Sequence, residues 1–411
     1  MLSKVICISM SVAMGLAFAA ELHVPAQYAD VQDAISAASD GDVIILAQGT
    51  YTSRYVFAFY GKRITVRSSD PDDDAVRDST VITNRVWFAH GEGPDSVLAG
   101  LTLLGGGISC SSSSPTIERN RIIFAGQLPD HFPQAHYFSN SKALIKGNIF
   151  ASTFLPYYAR LIYCSESAVR IVGNTFATNQ AGWIIYVWSP IPGGTTIIQE
   201  NCMVGNKASS AIYVTNTNDP FDSPTYSVIA GNVISQNDPE DFDSLPAIAV
   251  YDMHDAIVAD NLVSDNKMTG IRCQYRGNYA LIRNTISGNT GHGIDCSYGL
   301  SSSALVQHNV IMASSLNGLF SGGGMYPVAL SNTIAGNRLT GLYHNDDDSL
   351  GGVFASNLIV GNGHSAGYNR GGTYLGGFYF RSEALFAGNT VVGNYSSNPG
   401  AGMNGVSLSL A

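Results

Sequence analysis

Tyr251, Asp252, His254 and Asp255 bring a phenol, two carboxylates and an imidazole into five consecutive positions. Such groups can exchange protons with a bound substrate near neutral pH. A polar loop entering a strand has the same composition, and on residue types alone that plainer reading carries more weight. Arg272 and Asp295 form a second candidate pair, a cation and a carboxylate where a charged substrate could be held. Asp346, Asp347 and Asp348 make a dense acidic cluster whose oxygens suit a hard cation such as Ca²⁺. A solvated acidic loop explains them more simply, as it does Asp72, Asp73 and Asp74. His292, between Gly291 and Gly293, reads as a variable turn residue, because Thr269, Asn317 and Thr340 stand before comparable Gly residues elsewhere.

What would position these groups is a repeat. NTFATN (174–179), NCMVGN (201–206), NVISQN (232–237) and NLVSDN (261–266) are followed by NTISGN, NTIAGN, NLIVGN and NTVVGN at 284–289, 332–337, 357–362 and 389–394. Asn120, Asn148 and Asn309 open weaker copies without the second Asn, and successive leading Asn residues lie 23 to 32 apart. A period of that size with a short apolar strand beside each motif predicts a solenoid of stacked coils with loops of variable length. Asn tolerates left-handed backbone angles at the turns. Stacked in register, its amide can bond to the Asn of the next coil.

A second strand family can be aligned in the same repeat. It runs LIYCS (161–165), IIYVW (184–188), AIYVT (211–215), AIAVY (247–251), GIRCQ (270–274), GIDCS (293–297), GLFSG (318–322), GLYHN (341–345) and GFYFR (377–381). Its second and fourth positions are mostly apolar, so alternation turns them into the core and the odd positions outward. The outward third position reads Tyr163, Tyr186, Tyr213, Ala249, Arg272, Asp295, Phe320, Tyr343 and Tyr379, and the fifth adds Trp188, Tyr251, Asn345 and Arg381. That is an aromatic stripe with charges at mid-length, suited to the apolar faces of sugar rings. Rings stacking across coils only to stiffen the sheet is the competing account. Cys273 and Cys296 fall at equivalent inward places, as stacked thiols or as a disulfide.

The chain of 411 residues is 45% hydrophobic and 13% charged, which excludes disorder. Lys4, the apolar stretch from Val5 to Phe18 and Ala17-Phe18-Ala19 read as a cleaved export signal over 1–19, too short to span a bilayer. The expected location is therefore secreted or cell-surface. Removing Lys4 takes the net charge from −10 to −11, which argues against nucleic acid or anionic lipid as partner. No later segment is apolar enough for a membrane span. Val31, Ile35 and Ala38 share one helical face, so a helix should close the solenoid within a cap at about 21–50. The Asn-motif coils then extend over about 105–411. No comparable cap is legible after Asn394, so a partner or an extension is expected to cover the last coil.

These features resemble the pectin lyase-like superfamily of right-handed parallel β-helix proteins, and the opening HVPAQYADVQDAISAASDGDVIILAQGTY is similar to the start of its bacterial members. The resemblance implies an all-β, single-domain right-handed parallel β-helix over 20–411 with an N-terminal capping helix. It leaves function open, since the superfamily holds lyases, hydrolases, epimerases and adhesins. Gly291-His292-Gly293 resembles part of the polygalacturonase signature, whose other parts are missing. Asp252-Met253-His254-Asp255 loosely resembles the DPHE/DPHD motif of mannuronan C5-epimerases, without its Pro and with the Tyr too close. That resemblance would make His254 and Tyr251 the proton-transfer pair, with Asp252 orienting them and Arg272 neutralising a uronate. Pectate lyases, likewise, would suggest Ca²⁺ bridging at the acidic cluster. The expected function is recognition of an extracellular polysaccharide along one face, with lyase, hydrolase or epimerase chemistry as an open addition. The alternative is a non-catalytic, adhesin-like surface protein.

Overall fold

The computed structural model of the chain describes residues 19–125, 134–216, 224–239, 245–299, 302–345, 351–363, 373–376, 384–395, 403–405 and 408–410. Three sheets of 16, 14 and 14 strands wind along it, each taking every third strand in sequence order. The first begins with Glu21–Val24, the second with Phe57–Ala58 and the third with Gly49–Tyr51. Neighbouring strands pair in parallel throughout, for example Tyr163 with Tyr186 and Tyr186 with Tyr213. This is the right-handed parallel β-helix that the repeat and the resemblance implied.

One coil shows how the sequence makes the fold. Arg170–Val172 belongs to the first sheet, Asn174 turns the chain, Thr175–Ala177 belongs to the third, Asn179 turns it again, and Gln180–Trp188 belongs to the second. Ile171, Phe176, Ile185 and Val187 point inward from the three walls and are wholly buried. Burying each is worth about 1.5–3 kcal/mol, and stacking repeats the gain, as where the Phe150 and Phe176 rings lie 4.8 Å apart at 6°.

The Asn residues do their work through the side chain. Asn174 Nδ2 donates to Asn201 Oδ1 at 3.0 Å and to the Ile145 carbonyl at 2.9 Å, while the Asn174 backbone N–H donates to the same Asn201 oxygen. The pattern runs without a break from Asn120 to Asn389. A second ladder joins Asn179 to Asn289. Where its Asn is missing, Thr153 and Ser314 stand in and donate their backbone N–H to Asn179 and Asn337. The expectation that Asn itself takes the left-handed angle is corrected. The residue before it does so, as Glu200 (φ 56°), Asp260 (φ 55°) and Gly205 (φ 63°) show. The turn is left-handed one position early so that the Asn side chain can point inward along the ladder.

The helix Val31–Ala37 closes the first coil, with Val31, Ala34 and Ile35 buried and Asp30 capping the Gln32 N–H. Lys62 Nζ donates to the carbonyls of Ile35, Ser36 and Ala38, where a cation meets the negative helix end. Asp72, Asp73 and Asp74 are exposed to solvent, as the solvated-loop reading expects, and they also order a helix start. Asp73 caps a short helix, Asp74–Ser79, Asp74 pairs with Arg77, and Asp72 pairs with Arg119. Among the described residues no helix is long and apolar enough to cross a membrane.

Candidate functional site: the outward face of the second sheet

The register places the aromatic stripe as the alignment expected and lengthens it. Trp87 pairs with Ser109, Ser109 with Tyr137, and Tyr137 with Tyr163. Tyr213 then pairs with Ala249, Ala249 with Arg272, Arg272 with Asp295, Asp295 with Phe320, and Phe320 with Tyr343. At the next coil the alignment needs correcting. Tyr343 pairs with Tyr374, where the repeat alignment expects Tyr379. Tyr379 and Arg381 themselves, like Asp346, Asp347 and Asp348, lie outside the described residues.

The rings form two runs, separated by Ala249, Arg272 and Asp295. Tyr137 and Tyr163 stack at 5.6 Å, and Tyr186 and Tyr213 lie at 4.9 Å and 4°. Phe320 stacks on Tyr343 at 5.2 Å. Trp183, which the alignment passed over, meets Tyr186 edge-on at 5.3 Å. Trp188 extends the fifth-position column, paired with Ser165 and Thr215. These rings are half-buried, so each keeps a wet edge.

At mid-length Arg272, Asp295 and Tyr251 come together. Arg272 Nε donates to Asp295 Oδ2 at 2.8 Å, and Arg272 and Tyr251 lie close enough for each to act on the other's charge. The other carboxylate oxygen of Asp295 accepts from the Ser297 hydroxyl at 2.6 Å and from its backbone N–H at 3.1 Å. The Asp295 side chain is 4% exposed and that of Arg272 24%. Burial disfavours charge on Arg272, but the Asp295 carboxylate and the Tyr251 hydroxyl hold its pKa above the ordinary value. Burial pushes the Tyr251 phenol up to about 12, so it is a protonated donor at neutral pH. The Tyr251 ring packs edge-on against Tyr213 and Tyr275.

His292, read from sequence as a turn residue, belongs to this neighbourhood. Its ring stacks on Phe320 at 4.7 Å, and its Nδ1 accepts from the Asn317 N–H at 3.3 Å. Burial holds its pKa down, with Asp295 opposing and Arg272 reinforcing the effect, so the ring is neutral. His254 is placed elsewhere. It lies beyond the turn after Tyr251, next to the first-sheet strand Asp255–Ala259, with its ring at 5.7 Å from Tyr226 and its Nδ1 2.9 Å from Asp255 Oδ2. Asp252 sits in that turn at φ 53° and accepts from the Arg276 N–H. The structure thus gathers Tyr251 with Arg272 and Asp295, and directs His254 toward a different wall.

Cys273 and Cys296 are free thiols, as are Cys110, Cys164 and Cys202. Burial raises the Cys273 and Cys296 pKa values, which keeps them protonated. Among the described residues no three His, Cys, Asp or Glu side chains converge as a metal ion would need.

A profile of the family described as "Periplasmic copper-binding protein (NosD)" matches residues 221–401, less than half of the chain. No curated protein matches. Among solved structures, a mutant form of the periplasmic alginate epimerase AlgG is similar at 12% identity and TM-score 0.46, covering 96% of this chain and 84% of that one. The A-module of the Azotobacter vinelandii mannuronan C-5 epimerase AlgE6 is similar at 13% and 0.45, covering 92% and 93%. A mannuronic acid specific polysaccharide family 6 lyase from human gut microbiota gives 11% and 0.36, covering 95% and 82%. Likeness at these values carries no chemistry to this chain.

Proposed function

We propose that the protein binds an extracellular polysaccharide along the outward face of its second sheet. One observation carries the reading: register alone brings Tyr137, Tyr163, Tyr186 and Tyr213 into a half-exposed ring column, with the Arg272–Asp295 pair beyond Ala249 on the same line. Rings spaced at about 4.8 Å per coil offer apolar edges to successive sugar units, and the Tyr hydroxyls offer hydrogen bonds beside them. The export signal read over 1–19 supports a location outside the cytoplasm, as does the periplasmic setting printed for the family matched over 221–401.

A catalytic reading places proton transfer at Tyr251 and neutralisation of a uronate at Arg272, and the closeness of these two side chains is what favours it. Against it, both Asp295 oxygens are already engaged and Tyr251 is 6% exposed. We therefore place binding first. The test is a panel of uronate and neutral polysaccharides, with and without Ca²⁺, read by affinity electrophoresis, ultraviolet absorbance and reducing ends. Binding that weakens in Tyr163→Ala and Tyr213→Ala is expected. New unsaturated or reducing ends would promote the catalytic reading, and silence across the panel would leave a structural surface protein.

A further inference from the structure

Arg160 heads the strand Arg160–Ser165, paired with Gln134 on one side and Trp183 on the other. Its guanidinium carbon lies 4.6 Å from the Tyr186 ring centre, 4.9 Å from that of Tyr163 and 5.2 Å from that of Trp183. Arg63, Arg77, Arg121, Arg272 and Arg283 each have a carboxylate partner. Among the described residues, none pairs with Arg160. Its Nε and the adjacent Trp183 Nε1 are both buried and have no hydrogen-bond partner.

This arrangement is costly as it stands. Each unmet buried donor has lost its water partner without a replacement, and three aromatic faces compensate a desolvated cation only in part. Two unmet donors and a cation with no carboxylate partner among the described residues, beside a ring stack, are what an oxyanion on a sugar would use. In a protein of net charge −10, local affinity for an anion needs such an unpaired cation.

We propose that Arg160 and Trp183 form a recognition site for an oxyanion-bearing sugar unit whose ring lies along Tyr163 and Tyr186. The inference rests on the polysaccharide-binding reading and adds the ligand class, an anionic chain.

The experiment measures binding of the full chain to polygalacturonate, dextran sulfate and neutral dextran by calorimetry, with thermal unfolding as a folding control. The wild type is expected to bind at least one anionic polymer about tenfold or more tighter than dextran. Whichever anion is preferred assigns the group as carboxylate or sulfate ester. Arg160→Gln should abolish that preference and leave dextran binding unchanged, and Arg160→Lys should fall between. Trp183→Phe keeps the ring and removes the indole N–H, so it should weaken anionic binding alone; it carries the test should Arg160→Gln fail to fold. Equal affinity of the wild type for charged and neutral polymers overturns the inference, as does equal weakening of all three by Arg160→Gln. Binding of no polymer at all removes the polysaccharide reading itself.

Discussion

Arg272 and Asp295, 23 residues apart in the chain, face each other across adjacent coils with Nε 2.8 Å from Oδ2. The carboxylate side chain is nearly sealed from water, and Arg272 is the cation paired with it. Arg272→Met should destabilise the protein by about 3–5 kcal/mol, the usual cost of stranding a buried charge. Adding Asp295→Leu should recover most of the loss. Urea denaturation of the two variants checks this, and a double variant as unstable as the single one would refute it.

The Asn ladder should be cooperative. Asn232 Oδ1 accepts both the backbone and side-chain N–H of Asn201, and its Nδ2 donates to Ile198 and Asn261. Asn232→Ala strands two buried donors and one carbonyl, a loss of about 3 kcal/mol or more. Hydrogen exchange should quicken at Asn201 and Asn232 before distant coils respond.

Gly205 isolates the cost of the left-handed corner, since its φ is 63° and a Cβ there would meet nothing within 4 Å. Gly205→Ala should cost about 1–2 kcal/mol from backbone strain alone. A neutral result in thermal unfolding would mean that the corner relaxes.

His136 is wholly buried between Phe124 and Phe150, accepting from the Ile108 N–H at 3.2 Å, and burial lowers its pKa to about 3. The unfolded ring titrates near 6.5. Between about pH 6.5 and pH 3 the unfolded chain binds one proton more than the folded one, so this contribution is complete above pH 6.5 and declines as pH falls. The slope is about 1.4 kcal/mol per pH unit. His136→Gln, which keeps an acceptor for Ile108, should flatten the acid limb by one proton in stability measured against pH.

Burial raises the thiol pKa at Cys110, Cys164, Cys273 and Cys296, and Cys202 is the more exposed of the five described cysteines. In the native protein an aromatic disulfide reagent should label Cys202 first, and the other four should react only on unfolding. Rapid native labelling of Cys273 or Cys296, located by mass spectrometry, would contradict their burial.

The sequence by itself determined the architecture, because the repeat encodes it twice. Asn at leading positions 120 to 357 each donates to the Asn one coil on, and alternation at Ile162/Cys164 or Ile271/Cys273 sends alternate residues inward. The same logic exposed the column from Tyr163 through Arg272 to Tyr343, since in-register stacking turns equal repeat positions into neighbours. Tertiary structure decided what period alone does not encode: side-chain direction at corners and pairing across insertions. His254 follows Tyr251 by three residues yet faces another wall, because a corner lies between them. Tyr374 takes the place expected of Tyr379, because strand register follows backbone hydrogen bonds across an insertion of variable length. Arg160 and Trp183 lie one position before the aligned strands, where only the packed rings reveal that their donors are unpaired.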